Sequence, residues 1–312
     1  MILGPIAILV LAVLGFSYYA YRTAFHMSAA QKKRVPALPK GEQYAPLLEN
    51  MKALRQEIKE LSFEDVTVRA RDGKLLHGRY HHVRDGAPLQ IEVHGYRSFA
   101  LCDFCGGQKL AREMGHNTLL IDQRSHGESD GHAISFGLLE RYDVLTWAEY
   151  AAERFGADIP IVLCGVSMGA ATVLMASALE LPKNVVGIIA DCPYSSPKEI
   201  IQKVCADRGL PPKLTYPFIR LGARLFGGFS LTEEGAVDAV GKSRVPILLI
   251  HGEDDRFVPC DMSQQIFDAA PKDRTTLVTC PGAAHGVSYL VDPVRYGQVT
   301  EEFLAFCLKE RK

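Results

Sequence analysis

The chain opens on an apolar run from Ile2 to Ala20, interrupted only by Gly4, Pro5, Gly15 and Ser17. About 20 such residues are what a helix needs to cross the hydrocarbon core of a bilayer. Tyr18, Tyr19 and Tyr21 at its end suit the headgroup level. The run lacks both a basic start and a small-x-small cleavage pattern, so residues 1–22 read as a retained single-pass anchor rather than a signal peptide or a core helix. Arg22, Lys32, Lys33 and Arg34 follow it and no basic side chain precedes it, which orients the rest of the chain toward the cytosol. Residues 23–62 then read as linker and docking helix. Pro36, Pro39 and Gly41 break any helix between Met27 and Pro46, whereas Leu47, Met51, Leu54, Ile58 and Leu61 recur at helical spacing.

From Ser62 onward short β-type runs alternate with helical ones. Val66 to Ala70 and Leu75 to Tyr80, joined by Arg71-Asp72-Gly73-Lys74, predict a hairpin. Strands follow at Leu89–Val93, Thr118–Asp122, Ile159–Cys164, Val185–Ala190, Val245–Ile250 and Thr275–Val278. Helices are expected at Cys102–Met114, Leu138–Phe155, Met168–Leu179, Met262–Ala269 and Tyr296–Lys309. Strands this continuously apolar, alternating with helices, imply a mostly parallel sheet covered on both faces. One stretch breaks the rhythm. Between Pro193 and Ser243 only helical runs are legible, and a connection much longer than the usual 2 to 6 residues or so predicts a helical lid within a domain spanning 63–312.

Gly165-Val166-Ser167-Met168-Gly169 fits the pattern G-x-S-x-G, and its surroundings give the pattern meaning. It follows the strand ending Val162-Leu163-Cys164 and opens the helix beginning Ala170-Ala171-Thr172, which is the strand-to-helix turn of a nucleophile elbow. A serine hydroxyl is a poor nucleophile without a base and an orienting acid. The expected chain order is Ser, acid, His, each on a loop after a strand. His285, in Gly282-Ala283-Ala284-His285-Gly286 after the last strand, is the candidate base. Glu253, Asp254 and Asp255, after the strand Val245–Ile250, are candidate acids.

With these motifs in place the chain resembles the α/β-hydrolase superfamily, in particular its serine-aminopeptidase-like and prolyl-oligopeptidase-like single-domain members, from about Phe63 to Leu308. Val93-His94-Gly95-Tyr96, Asp122 to Ser129, the elbow, and His251-Gly252-x-x-Asp255-x-x-Val258-Pro259 carry the resemblance. It implies Asp255 as the acid and the backbone N–H groups of Tyr96 and Met168 as the oxyanion hole. It also implies that Asp122, Arg124 and His126 fix a loop rather than react. The family often has Gly where this chain has Ser125.

Composition adds limits. The 312 residues carry a net charge of -1, which gives no reason to expect a nucleic acid as partner. Eight cysteines are scattered, several within apolar runs, which suits a reducing compartment; Cys102-x-x-Cys105 lacks a second pair at zinc spacing and reads as coincidence. No metal or cofactor is implied. The expected chemistry is hydrolysis of a carboxylic ester or thioester through an acyl-enzyme on Ser167, with a small acyl compound, lipid-like if the anchor and the apolar insertion bear on it, as substrate. A serine peptidase is the alternative; acyl transfer to another acceptor would use the same residues. A ligand-binding protein that kept the fold without turnover would be expected to have lost one of the three residues.

Overall fold

The computed structural model describes residues 3–231 and 234–310. Met1 and Ile2, at the start of the expected anchor, and Thr232 and Glu233, within the expected insertion, lie outside the described residues, as do Arg311 and Lys312. Eight strands form one sheet: β1 (Glu64–Arg69), β2 (Leu75–His81), β3 (Leu89–Val93), β4 (Asn117–Asp122), β5 (Ile161–Val166), β6 (Val185–Asp191), β7 (Ile247–Gly252) and β8 (Thr275–Cys280). Their order is β1-β2-β4-β3-β5-β6-β7-β8. The expected hairpin β1–β2 is antiparallel and joins β4 antiparallel; every other pairing is parallel. This is the α/β-hydrolase fold that the sequence implies.

The helices that frame the sheet are α1 (Leu3–Ala24), α2 (Leu48–Lys59), α3 (Cys105–Glu113), α4 (Glu140–Phe155), α5 (Met168–Ala176), α6 (Pro197–Asp207), α7 (Pro212–Gly222), α8 (Asp261–Ala269) and α9 (Pro293–Glu310). The central strands read as continuous apolar runs because each of their two faces has its own core. Leu163, Ile188 and Leu249 pack with Trp147, Val173 and Leu174, while Val162, Ile189, Leu248 and Ile250 pack with Phe303, Leu304 and Cys307.

Three boundaries differ from expectation for local reasons. β5 and β7 each begin one residue after a proline, Pro160 and Pro246. Proline has no N–H to donate, though both carbonyls accept, from Leu89 and Ile188. The helix expected over Cys102–Met114 is two pieces, Ala100–Asp103 and Cys105–Glu113, parted at Phe104. Asp103 in that first piece turns its carboxylate to Gly95 N–H and the Ser98 hydroxyl.

The anchor segment is helical, but its last third belongs to the protein. Ser17, Ala20 and Tyr21 are buried, and Phe16 stacks edge-on against Phe218 of α7 at 5.1 Å. Gly222 makes this approach possible, since a Cβ there would lie 2.2 Å from the Ser17 carbonyl oxygen. Tyr21, read as an interfacial residue, is instead 4% exposed and packs on Phe25 and Phe226. Upstream, Ile6, Ile8, Leu9, Val10 and Leu11 remain at least half exposed. The insertion between β6 and β7 is helical, as expected, and its α7 is the element α1 lies on.

Candidate active site

The site is assembled where β3, β5, β6, β7 and β8 end. At the turn from β5 to α5, Ser167 adopts φ 55° and ψ -115°, a left-handed conformation unusual for a side-chain-bearing residue. Its neighbours must be small. A Cβ on Gly169 would stand 1.8 Å from the Val93 carbonyl oxygen, and one on Gly165 would stand 2.4 Å from the backbone of Gly169. Ser167 N–H is fixed by the Asp191 carbonyl at 2.8 Å.

His285 and Asp255 meet this serine. His285 Nε2 lies 2.9 Å from Ser167 Oγ, and His285 Nδ1 lies 2.6 Å from Asp255 Oδ2. The other oxygen, Oδ1, accepts from the Phe257 and Val258 N–H groups at 2.9 and 2.8 Å. Burial works to raise this carboxyl's pKa, but bonds from His251, His285 and Val258 outweigh it and hold the group far below the usual carboxylate range. Among the three candidate acids only Asp255 is turned inward. Glu253 lies exposed and accepts from the half-buried Thr279 hydroxyl instead, and Asp254 lies exposed.

Residues after β3 complete the surroundings. Neither Tyr96 N–H nor Met168 N–H finds an acceptor among the described residues. Behind them His94 and His126 stand edge to face at 4.7 Å, both fully buried. His126 donates from Nδ1 to the Arg124 carbonyl and accepts the Arg97 N–H at Nε2; burial lowers its pKa to about 3, so it is neutral. Arg124 grips Asp143 with two bonds of 2.6 Å, and Asp122 accepts from Arg79 and the Glu128 N–H. Ser125, where glycine is common, sits at φ 68°, the conformation that favours glycine.

Residues 75–298 match the alpha/beta hydrolase family. The chain belongs to that family. YqkD of Bacillus subtilis, itself uncharacterized, is 27% identical over 198 residues, 62% of this chain and 64% of that protein. The lysophosphatidylserine lipase ABHD12 of Xenopus tropicalis is 25% identical over 179 residues, 54% of this chain and 42% of its own. The alignments thus span less than two thirds of either relative. Among solved structures, the Pyrococcus furiosus esterase Pf2001 superposes with a TM-score of 0.66 at 20% identity, over 87% of this chain and 97% of that one.

In this α/β-hydrolase a cavity of about 350 Å³ opens onto Ser167 and His285. The segment read as a linker forms part of its wall through Pro36, Ala37 and Pro39, and α2 adds Met51 and Arg55. Among the described residues, the 193–243 insertion, by contrast, sends none into this wall.

Two groups near the site had no distinguishing signal in the sequence, and a third had one. His251, fully buried, lies with Nε2 2.8 Å from the Val258 carbonyl and 3.3 Å from Asp255 Oδ2, which ties together the loop that carries the acid. Its spacing in His251-Gly252-x-x-Asp255-x-x-Val258 was the available clue. Cys192 brings its sulfur within 4.8 Å of ligating atoms of Asp255 and His285, a set that could in principle hold a metal. Burial pushes the Cys192 thiol well up, and Asp255 and His285 are already spent on each other and on Ser167, so the set fits a hydrogen-bonded relay better than a metal centre.

Asp191, at the end of β6, lines the cavity yet is 5% exposed, and its Oδ1 has no hydrogen-bond partner among the described residues. Burial raises its carboxyl to about 6, against the pull of His251, Tyr296 and His285. Below the unfolded-state pKa both folded and unfolded chains hold the proton and no penalty arises. As pH climbs from about 4 to about 6 the unfolded chain loses the proton first and the folded state is increasingly disfavoured, a penalty that levels off above the folded-state pKa. Asp191→Asn should therefore gain stability over the parent as pH rises, by about 2 kcal/mol between pH 4.5 and 7.5. Thermal melting of both proteins across that range checks this, and a gap that narrows with pH would contradict it.

Proposed function

We propose that this α/β-hydrolase is a membrane-anchored serine hydrolase that cleaves carboxylic esters or thioesters of amphiphilic acyl compounds through an acyl-enzyme on Ser167. The observation that carries the reading is one hydrogen-bonded line, Asp255 to His285 at 2.6 Å and His285 to Ser167 at 2.9 Å, ending beside the unpartnered N–H groups of Tyr96 and Met168. His285 takes the Ser167 proton as Oγ bonds to the substrate carbonyl carbon. The carbonyl pair moves onto oxygen, where the two N–H groups meet it. Collapse of this intermediate expels the alcohol or thiol, protonated by His285, and water repeats the sequence to release the acid. Asp255, held ionised, keeps the imidazole in the required tautomer and supports its positive charge.

Amide substrates with a free amine fit less well. Asp103, in the cavity wall, is already bonded to Gly95 and Ser98, and Asp191 is buried. The cationic side chains point the other way. A second cavity of about 820 Å³, sharing Arg55 and Cys102 with the first, is lined by Lys32, Lys33, Lys59 and Arg79 together with Phe99, Leu101 and Val35. Its two carboxylates, Asp122 and Glu128, are matched by Arg79. Surplus positive charge beside apolar surface suits an acyl compound with an anionic head, in keeping with the lipase and esterase names of two relatives.

The membrane part rests on α1. Its 22 residues rise about 33 Å, enough for a bilayer core of ~30 Å. Because its last third lies on α7, a bilayer deep enough to cover α1 also meets the exposed apolar side chains Leu214 of α7 and Leu225 and Phe226 of the turn after α7. Basic residues after α1 favour a cytosolic catalytic domain.

Ser167→Ala should abolish fluorophosphonate labelling and ester turnover in a folded protein. Asp255→Asn should lower kcat by about 10⁴, as in serine-protease triads, while Asp254→Asn stays near parent. Turnover surviving in Ser167→Ala would end this reading.

For the substrate, the Lys33→Glu/Lys59→Glu double variant should lose about ten-fold in kcat/KM on lysophosphatidic acid and little on a monoacylglycerol with the same chain. Equal losses on both would assign those lysines to surface adsorption instead.

In intact cells, added protease should leave the C-terminal domain uncut. Digestion there would reverse the topology, and a soluble form lacking α1 would make that segment a cleaved signal.

A further inference from the structure

The last carbonyls of a helix have no partner inside it. In α1, the Tyr21 carbonyl is met by the N–H groups of Phe25 and His26. Those nearer the end are met by the loop that follows β3. Tyr96 donates its hydroxyl to the Ala24 carbonyl at 2.7 Å. Arg97 Nη2 donates to the Thr23 carbonyl at 2.9 Å and to the His26 carbonyl at 3.1 Å. The guanidinium lies 5.0 Å from the centre of the Tyr96 ring, so one cation closes both the helix end and the aromatic face. It also meets the negative end of the helix dipole.

The same loop is under backbone strain. Arg97 is held at φ 53°, a conformation that persists where the surroundings over-determine it. Two constraints do so. On the protein side, Arg97 N–H is held by His126 Nε2 at 3.1 Å. On the other side, the constraint is α1. The Tyr96 ring is wedged against Phe136 at 5.2 Å, and Phe136 in turn packs on Phe25 just past the helix end.

We propose that the C-terminal end of α1 is a positioning element of the active site. By accepting from the Tyr96 hydroxyl and the Arg97 guanidinium, it fixes the peptide between β3 and Arg97 and so aims the Tyr96 N–H at the substrate oxyanion. The proposal rests on the reading of Ser167 and the Tyr96 N–H given above. Tyr96, through its side chain, and Arg97 are positioning residues. The membrane helix, its seat on α7 and the oxyanion site then form one mechanical unit, and displacing α1 lowers turnover without touching Ser167, His285 or Asp255.

The test uses the full chain in detergent with a water-soluble aryl ester. Arg97→Ala should lower kcat about 10- to 100-fold, and Tyr96→Phe several-fold, with KM within about two-fold of parent, because an oxyanion donor acts mainly in the transition state. The pH dependence of kcat should not move, since His285 keeps its partners. Arg97→Lys should restore most of the loss, because both bonds leave a single nitrogen that an ammonium can replace. A perturbation from outside the cavity should act alike. Gly222→Val drives α1 away at Ser17 and should lower kcat in the same pattern.

Turnover of Arg97→Ala and Tyr96→Phe within about two-fold of parent would overturn the proposal while leaving the hydrolase intact. So would a loss that Arg97→Lys fails to recover, or one accompanied by a matching rise in KM. If Gly222→Val does not fold, the Arg97 pair decides alone. Turnover that survives in Ser167→Ala would overturn the reading of the site and this inference together.

Discussion

The chemistry of this molecule depends on how closely backbone segments approach one another at the ends of the parallel strands. Gly169 stands where any side chain would collide with the Val93 carbonyl, and Gly252 where one would lie 2.2 Å from the Ala283 carbonyl. The first contact presses the start of α5 against the end of β3. The second presses the end of β7 against the loop carrying His285, which brings Asp255 and His285 within 2.6 Å. Neither contact gains much by itself. Each lets two backbone segments far apart in sequence meet at a distance no side chain would allow, and Ser167, with its positive φ, lies beside the first.

These short contacts explain why the residues of the candidate site could be picked out of the sequence. Gly165-x-Ser167-x-Gly169 and His251-Gly252-x-x-Asp255 are local patterns whose small residues sit at the points of closest approach, so spacing alone carries the geometry. The positions of the central strands were legible for a similar reason, because two-sided burial leaves an apolar run that needs no partner to be recognised. Boundaries moved where one residue intervened. Pro160 and Pro246 delayed two strands, and Asp103 spent its carboxylate on Gly95 and Ser98 instead of continuing a helix.

What stayed hidden was contact between segments far apart in sequence and ordinary in composition. Nothing in Pro36-Ala37-Leu38-Pro39 marks it as a cavity wall. A proline-broken stretch reads as a linker, and only its packing beside α2 gives it a surface to shape. Likewise the hydropathy of α1 describes what surrounds the helix along most of its length but not what meets its last turn. Ser17 and Gly15 look alike as small interruptions of an apolar run, yet Ser17 is fully buried, against Gly222, while Gly15 has nothing within 4 Å of where a Cβ would be. The same limit applies to Asp191. Its place after β6 is legible, but its unpartnered buried oxygen is a property of the assembled cavity.

Two deficits in this fold answer each other. A helix that ends against protein leaves carbonyls that water reaches poorly, and burying them without donors is unfavourable. A loop forced to a positive φ at Arg97, beside Ser167, needs constraints from more than one side. Arg97 and Tyr96 supply donors to the first from within the second, and His126 holds the loop from behind without carrying charge of its own, since burial keeps it neutral. The insertion enters this arrangement through α7, which seats α1 instead of walling the cavity around Ser167. Phe218 and Gly222 of α7 are where α1 packs, at Phe16 and Ser17. The loop after β3 and the end of α1 are thus joined by three hydrogen bonds from two side chains.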